Sequence, residues 1–123
     1  MDLEKFHLVT RLAYQAAHYK DREAIRYWEE GQWRPMSWTV FYDKIQELAK
    51  ALLHHKVGVQ EKVGIFAPNS PQWTMVDMAA AHLRACAVPI YATNTAEATT
   101  KLKSSTKIQL FIFALTFIVM IIG

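Results

Sequence analysis

Val63-Gly64-Ile65-Phe66-Ala67, Pro68-Asn69-Ser70-Pro71 and Val88-Pro89-Ile90-Tyr91 decide how this chain folds. The first and third stretches are short apolar runs of the length of a buried strand, and the second is a turn that opens a helix. Ser70 is suited to cap that helix and Pro71 to be its first residue. From Pro71 to Ala87, Trp73, Val76, Ala80, Leu83 and Ala87 recur on one face, Met75, Met78 and Ala79 widen it, and only Thr74, Asp77 and Arg84 form a polar stripe. The pattern predicts a βαβ unit, with parallel strands joined by a right-handed crossover. A helix this apolar needs cover on most of its sides.

Outward from this unit the same reading gives an α/β chain. Asp2 is placed to cap a first helix reaching about Tyr19, with Phe6, Val9, Leu12, Ala13, Ala16 and Ala17 as its buried stripe. Ala24 to Trp28 and Trp33 to Met36 flank the glycine-containing turn Glu29-Glu30-Gly31-Gln32, which predicts a hairpin. Pro35, which cannot donate to a ladder, marks its second run as an edge strand. A second helix carries Ile45, Leu48, Ala49, Leu52 and Leu53, and Val57-Gly58-Val59 reads as its glycine-punctuated end. The sequence shows neither an internal repeat nor a low-complexity linker.

Of the 123 residues, 52% are apolar and 20% charged, which suits one modest globular core and excludes a disordered tail as the whole of the chain. The net charge of +3 lies entirely in Lys101, Lys103 and Lys107, since the rest of the chain is balanced. A general nucleic-acid role read from the basic balance therefore fails, and no nucleic-acid partner is expected. Cys86 is the only cysteine, so neither an intrachain disulfide nor a cysteine-based zinc cluster is expected. The charged first residues lack the unbroken apolar core of a secretory signal, and a cytoplasmic location is the expectation.

The groupings that could carry chemistry each have a plainer structural reading. The turn Pro68 to Pro71 lies where a helix N-terminus would meet an anion, but no glycine lets a phosphate approach the backbone, which favours an ordinary cap. Gly58 and Gly64 fit no nucleotide-loop spacing. Among His7, His18, His54, His55 and His82, the adjacent His54 and His55 point about 100° apart on a helix and cannot share a metal. His82 and Cys86 have i, i+4 spacing, yet two ligands are too few for a closed site, and a small buried cysteine beside a packed histidine is the better reading. Arg22, Arg26, Tyr27, Trp28, Trp33, Arg34 and Trp38 interleave cations with aromatics, but Asp21, Glu23, Glu29 and Glu30 balance them. Aromatic cross-strand pairing is favoured over a nucleic-acid platform.

The string Ile65-Phe66-Ala67-Pro68-Asn69-Ser70-Pro71-Gln72-Trp73, followed by Ala87-Val88-Pro89-Ile90-Tyr91-Ala92-Thr93-Asn94-Thr95-Ala96-Glu97, resembles the N-terminal part of AMP-forming acyl-CoA synthetases of the adenylate-forming superfamily, especially the long-chain fatty acid branch. Met36-Ser37-Trp38 and the helix after it share the resemblance, which runs from about Asp21 to Phe113, while Arg84 stands where the family often has glycine. It implies a partial N-terminal subdomain made of an N-terminal helix, β-hairpin, helix, βαβ unit and apolar C-terminal tail. Enzymes of this kind use ATP, Mg²⁺ and CoA to convert a fatty acid to an acyl-adenylate and then a thioester. Their phosphate loop and catalytic lysine regions find no counterpart here. Accordingly no residue of this chain is assigned to catalysis, cofactor or metal binding, and no cofactor is expected for residues 1–123 alone.

The resemblance divides the chain into residues 1–107, a partial AMP-binding N-terminal domain, and residues 108–123, an apolar tail that is strand-like to Phe113 and divergent beyond. Ile108 to Ile122 carries no charge, with Lys101, Lys103 and Lys107 just before it, as in a helix dipping into a membrane with snorkelling flanks. Fifteen helical residues reach about 22 Å against a hydrocarbon core of about 30 Å, too short for an untilted span. Two readings of the tail stay open: a family-like strand followed by out-of-frame sequence, and partial membrane insertion. They correspond to two functions, a truncated or frameshifted synthetase homologue that needs the remainder of the enzyme, and a small membrane-associated interaction protein.

Overall fold

The computed structural model describes residues 7–90, Glu97 and the backbone of residues 110–113. Helix α1 spans Leu8–Tyr19, β1 Glu23–Glu29, β2 Gln32–Ser37, α2 Trp38–His54, β3 Lys62–Phe66, α3 Pro71–His82, β4 Cys86–Ile90 and β5 Leu110–Phe113. Strands β1 and β2 form an antiparallel hairpin, while β4, β3 and β5 lie in that order in a parallel sheet. The βαβ unit predicted from the sequence is present, and a third parallel strand flanks it.

The hairpin owes its register to its turn. Glu30 and Gly31 both have positive φ, 49° and 78°, the two-residue geometry whose twist matches that of paired strands. Trp28 is thereby set opposite Trp33, and Arg26 opposite Pro35. Helix α2 starts where the Ser37 hydroxyl accepts a hydrogen bond from the Val40 N–H at 3.3 Å. It buries Phe41, Ile45, Leu48, Ala49 and Leu52, a stripe of helical period, but Leu53 projects to solvent at 60% exposure and does not belong to that face. In α3, Ser70 caps through the Trp73 N–H at 3.3 Å, with Pro71 in the first turn as the sequence predicts.

Three sequence expectations are corrected at helix ends. Helix α1 begins behind an extended His7, and Asp2 and Phe6 lie outside the described residues. Leu12 is its buried anchor and Ala17 is exposed. Helix α2 ends before Gly58, with Lys56 at φ 63° taking the left-handed position. There the Val57 N–H reaches the Leu52 carbonyl and the Lys56 N–H the Leu53 carbonyl, the paired bonds of a Schellman stop. Helix α3 ends at His82 and not Ala87, by the same device: Arg84 has φ 56°, Ala85 N–H meets the Ala80 carbonyl, and Arg84 N–H meets that of Ala81. Leu83, Arg84 and Ala87 are therefore not helical, and Ala87 pairs with Val63 in the sheet.

This early stop aligns the sheet. Gln60 N–H donates to the Arg84 carbonyl at 2.9 Å and Cys86 N–H to the Glu61 carbonyl at 2.7 Å, so the segments entering β3 and β4 are tied together where Lys62 meets Cys86. Val63 and Ile65 of β3 are fully buried in one core with Met75, Val76, Ala79 and Ala80 of α3 and Ile45, Leu48 and Leu52 of α2. Helix α3 is thus the middle layer: it touches β3 and β4 on one side and α2 and α1 on the other, and the hairpin rests on α2. Of its residues, Gln72 alone is exposed, as its apolar composition requires.

Candidate functional site

A groove of about 540 Å³ separates the hairpin from the start of α3. Its hairpin wall presents Tyr27, Trp28 and Trp33, and its other wall Asn69, Ser70 and Gln72. The fold places both walls at the end of the sheet where β3 points, because Phe66 ends the strand and the turn to α3 follows. Trp28 and Trp33 meet edge to face, with ring centroids 5.4 Å apart, and remain 60% and 61% exposed. The cross-strand aromatic pair favoured from the sequence is present.

Local charge is neutralised on the spot. Arg26 makes two bonds to Glu23, at 2.9 and 2.7 Å, which raise the guanidinium pKa further above its ordinary value. Arg34 reaches Glu29 and Glu30, each at 2.9 Å. These pairs are solvent-exposed and therefore weak, but they engage the Arg26 and Arg34 cations that a phosphate backbone would need. Ser70 already spends its hydroxyl on the Trp73 N–H, so the turn before α3 serves as a cap. The groove is lined by neither histidine nor cysteine.

The remaining candidates do not converge. The reading of Cys86 as a small buried residue beside His82 is overturned: α3 stops at His82, Cys86 opens β4 and is exposed. His82 Nδ1 lies 2.8 Å from the Met78 carbonyl, a contact that requires this nitrogen to carry the proton, and its ring stands 6.1 Å from that of Tyr42. His54 and His55 stack edge to face at the exposed end of α2. His18 bonds the Tyr14 carbonyl and stacks on that ring at 3.7 Å. Among the described residues, no group of three His, Cys, Asp or Glu side chains is placed to hold a metal. Asp77, in the middle of α3, has its carboxyl pKa raised because burial disfavours the ionised form. The membrane contact expected of Lys101, Lys103, Lys107 and Ile108 to Ile122 falls outside the described side chains, and no helix among the described residues is long and apolar enough to cross a membrane.

Hairpin, capped helix and a parallel sheet ordered β4-β3-β5 define the architecture of the N-terminal subdomain of adenylate-forming enzymes. A fatty acyl CoA synthetase of Mycobacterium tuberculosis superposes on 92% of the chain with a TM-score of 0.79 at 22% identity, the match taking up 22% of that enzyme. The N-terminal subdomain of Klebsiella oxytoca NpsA, in complex with 3-hydroxyanthranilyl-AMSN, gives 0.78 over 94% of the chain and 30% of its own, at 15% identity. At these identities the likeness concerns the fold. The chain itself belongs to the AMP-binding enzyme family, which matches residues 12–118. In sequence it is 35% identical over 80 residues to the long-chain-fatty-acid–CoA ligase ACSBG2 of Gallus gallus, covering 65% of the chain and 10% of that ligase. The Xenopus laevis ACSBG2 ligase matches at 35% over 82 residues, 11% of its length. The chain thus spans about a tenth of the length of the curated relatives it matches.

Proposed function

We propose that this chain is scaffold from the N-terminal part of a long-chain fatty-acid CoA ligase. The relationship to two ligases of that kind at 35% identity, over 65% of the chain, carries the proposal. In such an enzyme the fatty acid carboxylate attacks the α-phosphate of ATP, pyrophosphate leaves, and the CoA thiol then displaces AMP to give the thioester. Mg²⁺ and the phosphate-binding elements would come with the remainder of the enzyme. The part of residues 1–123 is to supply the sheet edge, the α3 layer and the hairpin against which that remainder packs. The groove supports this division: its polar groups are the Ser70 cap, the Asn69 and Gln72 amides, the ion-paired Arg26 and Glu29, and the Tyr27 and Thr74 hydroxyls, with no histidine or cysteine beside them to act as base or nucleophile.

Two assays test it. Residues 1–123 alone should release no pyrophosphate from ATP and a long-chain fatty acid above a no-protein control. A chimera carrying residues 21–113 in place of the matching segment of the Gallus gallus ligase should form acyl-CoA. Turnover by the isolated chain would overturn the scaffold reading. A chimera that folds but stays inactive would overturn the assignment to this branch.

A further inference from the structure

The hairpin wall of the groove leaves its largest apolar side chains uncovered. Trp28 and Trp33 pair across β1 and β2 with their rings at 76° to one another, which forms an aromatic corner open to solvent at 60% and 61% exposure. Such a patch on a folded chain marks an interaction site. Across the groove, the Asn69 and Gln72 amides and the Thr74 hydroxyl have no side-chain hydrogen bond among the described residues, and neither groove indole N–H has an acceptor. The charges at the rim are spent, since Arg26 holds Glu23 and Arg34 holds Glu29. We propose that this groove is a docking site for an uncharged, proline-rich segment of a partner protein, bound as a polyproline II helix.

The chemistry of the two walls selects this occupant. Each proline brings a carbonyl acceptor and no N–H, and the polyproline II helix makes no internal hydrogen bonds, so its carbonyls are free for the indole and amide donors. A segment of ordinary residues would bring an N–H for every carbonyl and leave some of them stranded against the tryptophans. Pyrrolidine rings pack on aromatic faces, and an aromatic-lined groove is the general means by which folded domains take up such segments. Ion pairing at the rim decides the charge. An acidic segment finds Arg26 and Arg34 already engaged, and a basic one finds Glu23 and Glu29 engaged likewise. The polyproline II helix is stiff before it binds and so loses little entropy on docking, which suits an open groove of about 540 Å³ with few contacts to offer. This recognition role is separate from the scaffold role of the sheet and α3, and the two can fail independently.

The probe is decaproline, titrated into the isotope-labelled full chain, and the readout is the indole and side-chain amide signals by NMR. Docking predicts saturable shifts of the Trp28 and Trp33 indoles and of the Asn69 and Gln72 amides, with the indole of Trp38, which packs on Phe41, unmoved. A Gly-Ser peptide of equal length should leave all of them in place. Asn69→Ala/Gln72→Ala alters two exposed residues of the far wall, keeps the hairpin, and should weaken decaproline binding roughly tenfold through the hydrogen bonds lost. Shifts that never saturate, equal shifts with the Gly-Ser peptide, or undiminished affinity in the double variant would each overturn the proposal. Calorimetry of decaproline with the Gallus gallus chimera should give the affinity found for the full chain. A chimera that forms acyl-CoA but no longer binds decaproline would show that the remainder of the ligase fills the groove, which overturns the partner and leaves the scaffold reading intact.

Discussion

Arg84→Gly should stabilise this protein, although Arg84 is exposed and the substitution removes a whole side chain. The reason lies in the backbone. At φ 56° Arg84 holds the left-handed position that stops α3, where its Cβ crowds the adjoining carbonyl. That conformation costs an L-residue roughly 1–2 kcal/mol, and glycine avoids it while giving back about 0.5–1 kcal/mol through the greater freedom of its unfolded chain, for a net gain of about 0.5–1 kcal/mol. The two hydrogen bonds of the stop and the bond from Gln60 N–H to the residue 84 carbonyl are all main-chain, so glycine keeps them. For a domain of this size such a gain corresponds to a rise in melting temperature of roughly 2–8 °C. Circular dichroism at 222 nm during thermal and urea unfolding measures it, with an unchanged urea slope as the sign that only stability has moved. Arg84→Val is the matched control and should lower the midpoint, since a β-branched residue tolerates positive φ least. If Arg84→Gly and Arg84→Val shift the midpoint equally, residue 84 is not in the left-handed region and the account of how α3 ends is wrong.

Lys56→Gly should behave like Arg84→Gly, because Lys56 at φ 63° performs the same task for α2, and denaturation midpoints of the single and double variants should add. Gly58→Ala should be tolerated or mildly stabilising by about 0.5 kcal/mol, since its backbone is not left-handed and an added Cβ would approach only Glu61 Oε2, at 3.9 Å; strong destabilisation in urea would restore Gly58 as the helix stop. Ser70→Ala should cost about 1 kcal/mol in the same unfolding assay by removing the α3 cap. Asp77 has a folded-state pKa above its unfolded one, so the native state holds that proton more tightly, and stability falls as pH rises from the ordinary aspartate range through the raised value. Asp77→Asn should abolish that component of the pH profile, and a profile identical to the parent would show that Asp77 is not desolvated.

Much of the fold is legible because its signals are local. The strands β3 and β4 announce themselves as apolar runs, Ser70-Pro71 as a helix start, and Glu30-Gly31 as a hairpin turn that admits positive φ. The ends of α2 and α3 are a different matter. Both stop at a left-handed residue that is not glycine, Lys56 and Arg84, and neither type signals such a conformation, so the nearby Gly58 draws the eye for one helix and continued apolar periodicity for the other. A resemblance to a family that often has glycine at the Arg84 position was the available clue, and it pointed at the backbone.

That displaced stop decides what Cys86 and the groove are. Continuing α3 to Ala87 would place Cys86 one helical turn beyond His82, on a shared face. Stopping it at His82 makes Cys86 the first residue of β4, where its N–H extends the ladder to Glu61 and its side chain is exposed. The groove was invisible for a separate reason. Its walls, Trp28 and Trp33 on one side and Asn69 to Gln72 on the other, lie some forty residues apart in sequence and share no periodicity; packing of the hairpin on α2 and of α2 on α3 brings them together. Each wall taken alone reads as an aromatic strand pair or a capped turn, and both descriptions remain true. Only the fold turns them into opposing faces, beyond the end of β3 at Phe66.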